Sequence, residues 1–507
     1  MISSQKDIFY KAHNEGKNFI PIIETWPADL ETPLSTWLKL SNNDSHGVFL
    51  ESVEGGENLG RWSIVATNPL WEAVCHGEKT IKTWDTGDNE EYLGNPFDLL
   101  KSWTEEYSSF SIDSLPFVGQ LYGSWGYELI NHIEPNVPIN NKSKENNVPY
   151  GSWMFFDQIV IFDQMKRCIT AVVYADFSRA PVDSIEIIYQ DCIRKINRIR
   201  DVMKVPLQET NFLNWKNNNN LDINFSSNWN KGEFEDAVLK AKEYIKKGDI
   251  FQIVLSQRFQ STVKSDPFNL YRSLRMINPS PYMAFFDFGS WYLIGSSPEV
   301  MVKAEKKKNN QIVASLRPIA GTRPRGNDYE QDIKLEKDLL KDPKEISEHV
   351  MLIDLGRNDL GRVCKIGTVN VKELMVIERY SHVMHIVSEV EGILDDGSNV
   401  WDLLKACFPA GTVTGAPKIR AMQLINNFEK DARGPYAGVY GSIDINGSLN
   451  TAITIRTMIV TPLNGNKFEV SVQAGAGIVA DSNPANEYQE TINKAKGILM
   501  ALACLDK

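Results

Sequence analysis

Apolar residues in the N-terminal third of the chain recur in short runs that turn residues separate. Runs of this length that are rich in Val, Ile, Phe, Tyr and Trp are typical of β-strands. An apolar residue at every third or fourth position is instead typical of a helix. The pattern predicts strands at 47–53, 62–66, 73–75 and 117–127, a hairpin of 153–163 and 168–175 that turns at 164–167, and a helix at 184–202.

An irregular, Asn-rich segment, LNWKNNNNLDINFSSNWN at 213–230, separates this block from a second one. Such a composition is typical of linkers and surface loops. The second block's pattern predicts helices at 232–247, 418–428 and 485–503, and strands at 249–259, 283–286, 291–295, 438–444, 451–460 and 467–473. Because strands and helices do not alternate regularly, we expect an α+β fold. The expected domains are 17–205 and 231–500, joined by a linker at 206–230.

The helix predicted from KDPKEISEHVMLIDLGRNDLGR (341–362) carries two acids beside an apolar face. Glu345 and Glu348 share that face with Leu352 and Leu355, at offsets of three, four and three residues. Carboxylates at the rim of a core are costly unless a positive group pairs with them. A metal, an Arg or a Lys could be that partner.

The last predicted helix repeats this arrangement. Glu487, Glu490 and Lys494 share one face at offsets of three and four residues. Taken alone, Glu490 and Lys494 could form an ordinary surface ion pair worth about 0.2–0.5 kcal/mol. Two glutamate pairs that met across a cleft would instead supply the hard oxygen ligands that Mg²⁺ prefers.

Composition narrows the classes of function. A length of 507 residues predicts two domains, and the net charge of −11 argues against nucleic acid as a partner. An anionic substrate would therefore need a local positive group or a divalent metal. We find neither a secretory signal nor an apolar run of membrane-helix length. The six cysteines form no CxxC pair, which is typical of a reducing cytosol, so we expect a soluble, cytoplasmic protein.

Some further features have more than one interpretation. His385, in an apolar run, is by default a core histidine, and His349 lies off the glutamate face, so we expect it to pack. Arg456, predicted in a strand, needs a carboxylate from the protein or from a ligand. The glycines of QAGAGI (473–478) match a dinucleotide-binding loop loosely, but too little chain follows for that fold. We predict instead a loop whose backbone N–H groups approach an anion.

Seven longer phrases, taken together and in this order, carry a family resemblance. They resemble the chorismate-utilising enzymes and, within them, the component I family of the anthranilate synthases. The resemblance is dense over about residues 230–500 and looser in the N-terminal block, through FLES at 49–52. The phrases are LRPIAGTRPRG (316–326), DPKEISEHVMLIDLGRNDLGRV (342–363), RYSHVMHIVSEVEG (379–392), FPAGTVTGAPKIRAM (408–422), GPYAGVYG (434–441), AITIRTM (452–458) and QAGAGIVADSNPANEYQETINKA (473–495).

The resemblance implies a fold and a reaction. The fold would be a large two-lobed α/β sandwich of mainly antiparallel sheets, with helices packed outside and the active site in the cleft. The reaction would be amination of chorismate at ring C2 with loss of the C4 hydroxyl, followed by elimination of pyruvate. The product, anthranilate, would enter tryptophan biosynthesis.

The resemblance also implies a cofactor, Mg²⁺, held between the ring carboxylate of chorismate and the protein. Its ligands would be Glu348 and Glu490, while Glu345 and Glu487 would hold metal-bound water.

Roles at the reacting ring follow from the same resemblance. Glu299 would be the general acid that protonates the departing hydroxyl, so a raised pKa is predicted for its carboxyl. His385 would serve pyruvate elimination, and Thr412 would orient the substrate. The implied substrate-binding residues are Gly321, Thr322, Tyr436, Arg456, Gly475, Ala476 and Gly477.

Two positions separate this chain from neighbouring subfamilies. Isochorismate and salicylate synthases carry a Lys that activates water where this chain has Gln252. Aminodeoxychorismate synthases commonly carry a nucleophilic Lys where this chain has Ala320. Ammonia is therefore expected to attack C2 directly. An aminodeoxychorismate synthase component with an atypical Ala, and a catalytically inactive tryptophan-sensing homologue, are the alternatives.

Two molecules besides chorismate are implied. The chain has no glutaminase motif, so ammonia would come from solution or from a separate glutamine amidotransferase subunit. Tryptophan would bind as a feedback inhibitor to Ser52, at the end of FLES, and to Pro281, Tyr282 and Met283. Phe49 departs from the Leu of the family's LLES motif.

Overall fold

The helices of the chain are distributed over its whole length. The computed structural model describes residues 5–41, 46–52, 60–110, 115, 118–139, 148–179, 185–207, 212–216, 225–380 and 383–505. In these ranges the α-helices, numbered α1 to α11 in chain order, are Gln5–Asn14, Pro33–Leu40, Pro96–Glu105, Ile185–Met203, Lys231–Lys246, Pro267–Ile277, Tyr329–Leu339, Pro343–Gly361, Val400–Cys407, Lys418–Phe428 and Pro484–Ala503. Two 3₁₀-helices are Tyr127–His132 and Gly411–Val413.

The described strands form two twelve-stranded sheets, numbered here in chain order. The first sheet runs, in space, through β1 (Phe19–Pro27), β10 (Cys168–Asp176), β9 (Gln158–Asp163), β3 (Trp62–Thr67), β2 (Gly47–Glu51), β13 (Tyr282–Asp287), β14 (Tyr292–Ser297), β23 (Thr457–Leu463), β24 (Lys467–Ile478), β12 (Gln252–Val263) and β11 (Ser226–Ser227), with β20 (Gly415–Ala416) beside β12.

The second sheet runs through β17 (Ile319–Pro324), β19 (Val383–Ile393), β16 (Ile312–Leu316), β15 (Val300–Lys306), β22 (Ser448–Ile453), β21 (Val439–Asp444), β7 (Leu121–Trp125), β8 (Gly151–Phe155), β4 (Trp71–His76), β5 (Lys79–Trp84) and β6 (Asn89–Leu93), with β18 (Asn370–Arg379) beside β19. Strand pairing is antiparallel throughout the described ranges. The expected class, antiparallel sheets with packed helices, is confirmed.

The first sheet is buried on both faces. In β13, Ala284 and Phe286 belong to the core shared with the second sheet, whereas Met283 and Phe285 pack on the opposite face, under α2 and α6. Because side chains alternate along a strand, burial on both faces gives a continuous apolar run rather than a polar alternation. The sequence therefore predicts that these segments are strands, but it does not predict which of the two sheets each strand joins.

The single strand predicted at 153–163 is wrong. The chain ends β8 at Phe155 and enters β9 at Gln158, and these two strands lie in different sheets. Asp157, in the turn between them, is buried and lies 2.7 Å from Lys195 Nζ. The apolar run continues across this turn because both strands are buried. The hairpin with 168–175 is confirmed, since Asp163 pairs with Cys168.

The single strand predicted at 451–460 is also wrong. It divides into β22 of the second sheet and β23 of the first sheet, so the chain crosses between sheets near residue 455. Arg456 lies in this crossing and not in a strand, with a φ of 52°. A non-glycine residue in the left-handed region is uncommon and marks a constrained turn.

Both sheets combine strands from the two predicted domains. β2 pairs with β13, and β7 pairs with β21. In the predicted linker, Trp215 forms a bridge to Leu505, while residues 208–211 and 217–224 lie outside the described ranges. The boundaries 17–205, 206–230 and 231–500 stay a prediction.

Two expectations from composition can be compared with the structure. All six cysteines are free thiols, in agreement with the absence of a disulfide framework. Among the described helices, none combines the length and apolar character needed to cross a membrane.

Candidate active site

Helix α8 holds the first glutamate pair. Asp342 caps the helix and Pro343 begins it, which is the favoured arrangement at a helix N-terminus. Glu348 Oε1 accepts a hydrogen bond from Gln252 Nε2 at 3.1 Å. Glu345 Oε1 lies 3.6 Å from an Arg323 guanidinium nitrogen. The two acids therefore have different partners, one neutral and one cationic.

Helix α11 holds the second pair. Asn483 caps the helix by accepting hydrogen bonds from two backbone N–H groups of the first turn. Glu487 is buried, whereas Glu490 is exposed and lies 2.7 Å from Lys494 Nζ. The ion pair between Glu490 and Lys494 that the sequence suggested is therefore present.

The two pairs interact electrostatically. Burial is the largest cause that raises the pKa of Glu348, and the charges of Glu345 and Glu490 raise it further. Burial likewise raises the pKa of Glu487, with a further contribution from Glu490. The fold thus brings together four acids that the sequence separates by about 140 residues.

These four glutamates fit a divalent cation that a substrate helps to hold. In the described residues, no group of three or more His, Cys, Asp or Glu side chains is arranged so that it could hold a metal ion by itself. Mg²⁺ typically takes only one or two carboxylates, keeps waters and binds an anionic group of the substrate. Arg323 and Lys494 each pair with one glutamate, so the alternative of Arg or Lys counter-charges holds for Glu345 and Glu490. The carboxylates of Glu348 and Glu487 form no ion pair within the described chain.

Glu299 lies in a different environment, directly after β14. Its side chain is buried, and burial raises the pKa of its carboxyl to about 7. Thr412 and the more distant Lys494 lower that pKa without offsetting the burial. The Thr412 hydroxyl is itself buried and makes no hydrogen bond of standard geometry to the described residues. The predicted raised pKa of Glu299 agrees with this environment.

His385, in β19, is oriented by the neighbouring strand β17. Its Nδ1 lies 3.0 Å from the Gly321 carbonyl oxygen and 3.1 Å from Thr322 Oγ1. A carbonyl only accepts, so Nδ1 carries the proton and Nε2 keeps its lone pair. Burial lowers the pKa of the imidazole, and the positive charge of Arg456 also lowers it. A neutral His385 with a free Nε2 can act as a base.

Gly321 is required by the backbone at this position. β17 carries a β-bulge between Ala320 and Thr322, and Gly321 has a φ of +66°. A Cβ there would also lie 3.0 Å from a Leu339 methyl and 3.3 Å from Glu345 Oε2. Bulges re-aim the side chains beside them. The bulge therefore brings the His385 contacts and the α8 glutamates to the same part of the fold.

Arg456 is a cation without a protein carboxylate. Its Nη1 donates to the Lys494 carbonyl oxygen at 2.9 Å, and no described carboxylate forms an ion pair with it. Burial lowers the pKa of the guanidinium, although the charge of Glu490 acts in the opposite direction. A buried arginine of this kind is expected to pair with an anion. Because no described carboxylate lies within ion-pair distance of Arg456, a carboxylate from a ligand stays the prediction.

The glycine-rich loop predicted at 473–478 is wrong, because these residues continue β24. Gly475 and Gly477 pair with Ser256 and Val254 of β12. β23 pairs with β24 only as far as Val472, so the other edge of this segment has no strand partner in the described sheet. The backbone N–H groups along that edge are therefore the ones that can bind an anion.

Small residues are nevertheless needed on this strand. A Cβ on Gly475 would lie 2.6 Å from the Tyr436 hydroxyl, and a Cβ on Gly477 would lie 2.9 Å from Gln252 Nε2. Tyr436 is buried, which raises the pKa of its hydroxyl to about 12, so it is a neutral hydrogen-bonding group. Ala476, between the glycines, is fully buried and points away from them.

Gln252 lies in β12 and Ala320 in β17, and their role in separating the subfamilies stays a prediction. Gln252 begins β12 and is buried, and because its Nε2 donates to Glu348, its Oε1 must be the acceptor end of the amide. That oxygen has no hydrogen-bond partner among the described residues. His349 is fully buried with Nε2 2.7 Å from Ser388 Oγ, which agrees with a packing role.

The residues predicted to bind tryptophan lie on neighbouring strands. Glu51 of β2 pairs with Met283 of β13, which places Ser52 beside the start of β13. Ser52 Oγ accepts a hydrogen bond from Gly60 N at 3.0 Å, and Pro281 is buried. Residues 53–59, which follow Ser52, lie outside the described ranges.

Sequence reasoning missed the group that connects this region to Glu299. The Tyr440 hydroxyl donates to the Tyr282 carbonyl oxygen at 2.7 Å and accepts from Ser297 N at 3.2 Å. Ser297 in turn lies 3.3 Å from backbone atoms of Glu299. Tyr440 lies within the matching phrase GPYAGVYG, but only the three-dimensional contact reveals what it joins.

Comparisons with known proteins identify the family of the chain. The family model of the chorismate binding enzymes matches residues 48–500. The chain is 51% identical to anthranilate synthase component 1 of Synechocystis sp. over 100% of both chains, and 43% identical to the one from Acetivibrio thermocellus over 98% of this chain and 99% of that one.

Solved structures give the same result for the fold. Anthranilate synthase component I from Streptococcus pneumoniae superposes with a TM-score of 0.74 at 35% identity, covering 93% of this chain and 98% of that chain. The menaquinone-specific isochorismate synthase of Escherichia coli shares the fold, with a TM-score of 0.68 at 17% identity over 98% and 100% of the two chains. The chain therefore belongs to the chorismate binding enzymes and, within them, to the component I family of anthranilate synthase.

Proposed function

We propose that the protein converts chorismate and ammonia to anthranilate, pyruvate and water, with Mg²⁺ as cofactor. One observation carries the proposal. Among the described residues, Arg456 forms no ion pair with a carboxylate, and Glu348 and Glu487 form no ion pair with a cation, although Lys344 acts on both glutamates from a distance. A dicarboxylate bound with a divalent cation supplies both missing charges at once.

The departing hydroxyl takes its proton from Glu299. Ammonia forms a bond to C2, the ring double bonds shift, and the C4–O bond breaks as the hydroxyl leaves as water. A carboxyl with a pKa of about 7 is still largely protonated near neutral pH and can donate this proton. Thr412, whose side chain interacts with the Glu299 carboxyl, orients the ring beside it.

Pyruvate elimination needs a base. His385 Nε2 removes the proton from C2, the C3–O bond to the enolpyruvyl group breaks, and the ring becomes aromatic. Gly321 fixes the tautomer by accepting from Nδ1, and Thr322 lies against the same nitrogen. Arg456, Tyr436 and the free edge of β24 at 475–477 hold the enolpyruvyl carboxylate.

Glu348 and Glu490 are the proposed Mg²⁺ ligands, with Glu345 and Glu487 holding metal-bound water. Bound there, the ion supplies positive charge that anchors the ring carboxylate and favours charge withdrawal from the ring. The repulsion that raises the pKa of Glu348 is what such an ion relieves.

Two residues favour ammonia over water or a lysine as the nucleophile. Gln252 supplies no base, but its unpartnered Oε1 can accept a hydrogen bond from ammonia. Ala320 has no nucleophilic atom, which disfavours the covalent route of an aminodeoxychorismate synthase.

A glutamine amidotransferase subunit is the proposed source of ammonia. Five of the six cysteines are buried, and burial also raises the pKa of the partly exposed Cys168, so none resembles a reactive nucleophile. The free thiols also support the cytosol as the compartment. Tryptophan is the proposed feedback inhibitor, bound between Ser52 and Pro281–Met283, in the N-terminal domain 17–205 and at its border with the catalytic domain 231–500.

The test is incubation of the purified protein with chorismate, MgCl₂ and ammonium chloride. We expect fluorescent anthranilate and an equal amount of pyruvate, and no product without MgCl₂. Aminodeoxychorismate without pyruvate would establish the alternative reaction. Chorismate left unchanged without tryptophan, by a protein that still binds tryptophan, would establish an inactive sensor.

A further inference from the structure

A small cavity lies between the 3₁₀-helix Tyr127–His132 and the C-terminal end of α10. Tyr127, Glu128, Asn426 and Asp431 line it, together with the ion-paired Glu429 and Arg433 described below and several apolar side chains. It leaves about 20 Å³ for the centre of a water-sized molecule. That is room for one such molecule.

Three hydrogen-bonding atoms of this cavity are buried and have no partner in the described chain. They are Tyr127 Oη, Glu128 Oε2 and Asn426 Oδ1. Glu128 is 3% exposed, and its other carboxylate oxygen accepts from Arg433 N at 2.8 Å. Buried polar atoms are normally bonded to protein or to a small molecule. The Glu128 carboxylate oxygen and Asn426 Oδ1 can only accept, and the Tyr127 hydroxyl can accept or donate, so the cavity favours an occupant that donates at least two hydrogen bonds.

The charge around the cavity favours a cation. The Arg433 guanidinium is neutralised by Glu429, with an Nη2–Oε1 distance of 2.7 Å. The remaining charged groups that line the cavity are the carboxylates of Glu128 and Asp431, of which Asp431 accepts a hydrogen bond from Asn228, while the charge of Arg258 outside the cavity also acts on Glu128. Burial raises the pKa of Glu128, so a cation beside it would be stabilising. Water offers two donated hydrogen bonds, whereas ammonium offers four in the same volume.

Arg433 also lines a second cavity of about 20 Å³. Tyr436 and Gln473 line it, and so does Thr454, whose hydroxyl oxygen is also buried without a partner. Tyr436 belongs to the proposed substrate site. Arg433, which lines both cavities, is 3% exposed and is held by Glu429 and by the Val254 and Val413 carbonyl oxygens.

We propose that the cavity at Glu128 binds ammonium as a store of the nitrogen donor, since Arg433 lines both this cavity and the one that reaches Tyr436. The inference rests on the proposed function, because that reaction consumes ammonia. It adds a binding site for the nitrogen donor that lies outside the chorismate site. The ammonia could come from solution or from a glutaminase subunit, and the chemistry of the site is the same for both.

Binding is tested on the free protein, without chorismate. Ammonium chloride should raise the Tm of the wild type above the value in sodium, potassium or tetramethylammonium chloride at equal concentration. Two variants should each abolish this difference in Tm between ammonium and the other salts. They are Glu128→Gln, which removes the negative charge, and Asn426→Leu, which fills the cavity. An equal Tm in all four salts would mean that the cavity holds only water, and an equal effect of potassium would exclude a hydrogen-bond donor. Either result overturns the proposal even if the enzyme makes anthranilate.

Kinetics then test the role in the reaction. Glu128→Gln should raise the KM for ammonium at least tenfold while the KM for chorismate changes less than twofold. Asp444→Asn is the matched control, because Asp444 is a buried carboxylate that lines neither cavity, and it should change neither constant. A second assay replaces ammonium with glutamine and the amidotransferase subunit. If Glu128→Gln lowers activity only with ammonium, the cavity serves ammonia from solution. If the variant lowers activity with both nitrogen sources, the cavity also serves ammonia from the subunit. Unchanged activity in both assays would overturn the proposal.

Discussion

Glu299 and Glu348 are both carboxyls whose pKa the fold raises, but their surroundings differ. Around Glu299, burial alone raises the pKa, and Thr412 and Lys494 act against it. Around Glu348, burial acts together with the negative charges of Glu345 and Glu490. The first site contains one acid in a closed environment. The second contains an excess of negative charge.

The difference teaches that a raised pKa has two chemical uses. Glu299 gains stability by binding a proton, so it is suited to donate one. Glu348 gains stability from a cation, because a cation removes the repulsion of its neighbours as well as the cost of its burial. Adding Mg²⁺ should therefore lower the pKa of Glu348 and leave that of Glu299 almost unchanged.

The largest expected effect is that of Glu299→Gln, which keeps the shape of the side chain and removes its proton. We expect kcat to fall by about 10²–10⁴-fold, the usual contribution of a general acid. The apparent affinity for Mg²⁺ should stay within about twofold, since the amide leaves the four glutamates intact. Steady-state measurement of anthranilate fluorescence gives both values.

The pH profile of the same variant gives an independent check. The acid form of Glu299 is present below its pKa of about 7, so wild-type kcat/KM should fall as the pH rises through that value. This alkaline decline should be missing in Glu299→Gln. An identical decline in the variant would assign it to another group and contradict the role of Glu299.

The next largest effect concerns the glutamate cluster. Glu348→Gln should raise the Mg²⁺ concentration for half-maximal activity by more than 100-fold. Glu345→Gln should raise it by about 10–100-fold, as expected for a residue that acts through bound water. Both should retain the alkaline pH decline of the wild type, because Glu299 is unchanged. Full activity of Glu348→Gln at low Mg²⁺ would contradict the assignment of Glu348 as a Mg²⁺ ligand.

The sequence predicted these acids because the helix is a local structure. Glu345 and Glu348, like Glu487 and Glu490, share a helix face whatever the tertiary fold, so their spacing alone predicted two pairs. That the pairs meet was not predictable from spacing, since α8 and α11 come together only through the sheets between them. The family resemblance supplied that information.

Features that the sequence did not predict depend on contacts distant in the chain. The crossing at Arg456 was hidden because apolar residues continue through β22 and β23, which are buried in different sheets. The strand conformation of 475–477 was hidden because glycines suggest a loop, whereas here they make space for Tyr436 and Gln252. Periodicity reports how much of a residue is buried, not which neighbour buries it.

A smaller effect is expected where the Glu299 environment connects to the segment that we propose binds tryptophan. Tyr440→Phe removes the hydroxyl that joins the Tyr282 carbonyl to Ser297 N. A hydrogen bond contributes about 0.5–1.5 kcal/mol. We therefore expect the tryptophan concentration for half-maximal inhibition to rise about two- to tenfold. Calorimetry should show that tryptophan still binds. Tyr174→Phe is the control, since that buried hydroxyl bonds Gln120 instead. Inhibition that is unchanged in Tyr440→Phe would exclude this connection.

The smallest expected effect comes from changing the hydrogen-bond donor of Glu348, which separates its titration from that of Glu299. Gln252 Nε2 is the hydrogen-bond donor that holds the pKa of Glu348 down, against burial and the neighbouring charges. Gln252→Met removes that donor, so the folded pKa of Glu348 should rise further and more protons should compete with Mg²⁺ on the acid side. We expect about two- to fivefold weaker activation by Mg²⁺ at pH 6, consistent with one lost hydrogen bond, and a difference that shrinks by pH 8 as Glu348 ionises in both proteins. The alkaline decline assigned to Glu299 should not move, because Gln252 does not contribute to its pKa. A shift of the alkaline side instead of the acid side would show that the two carboxyls are coupled, and would contradict their separate roles.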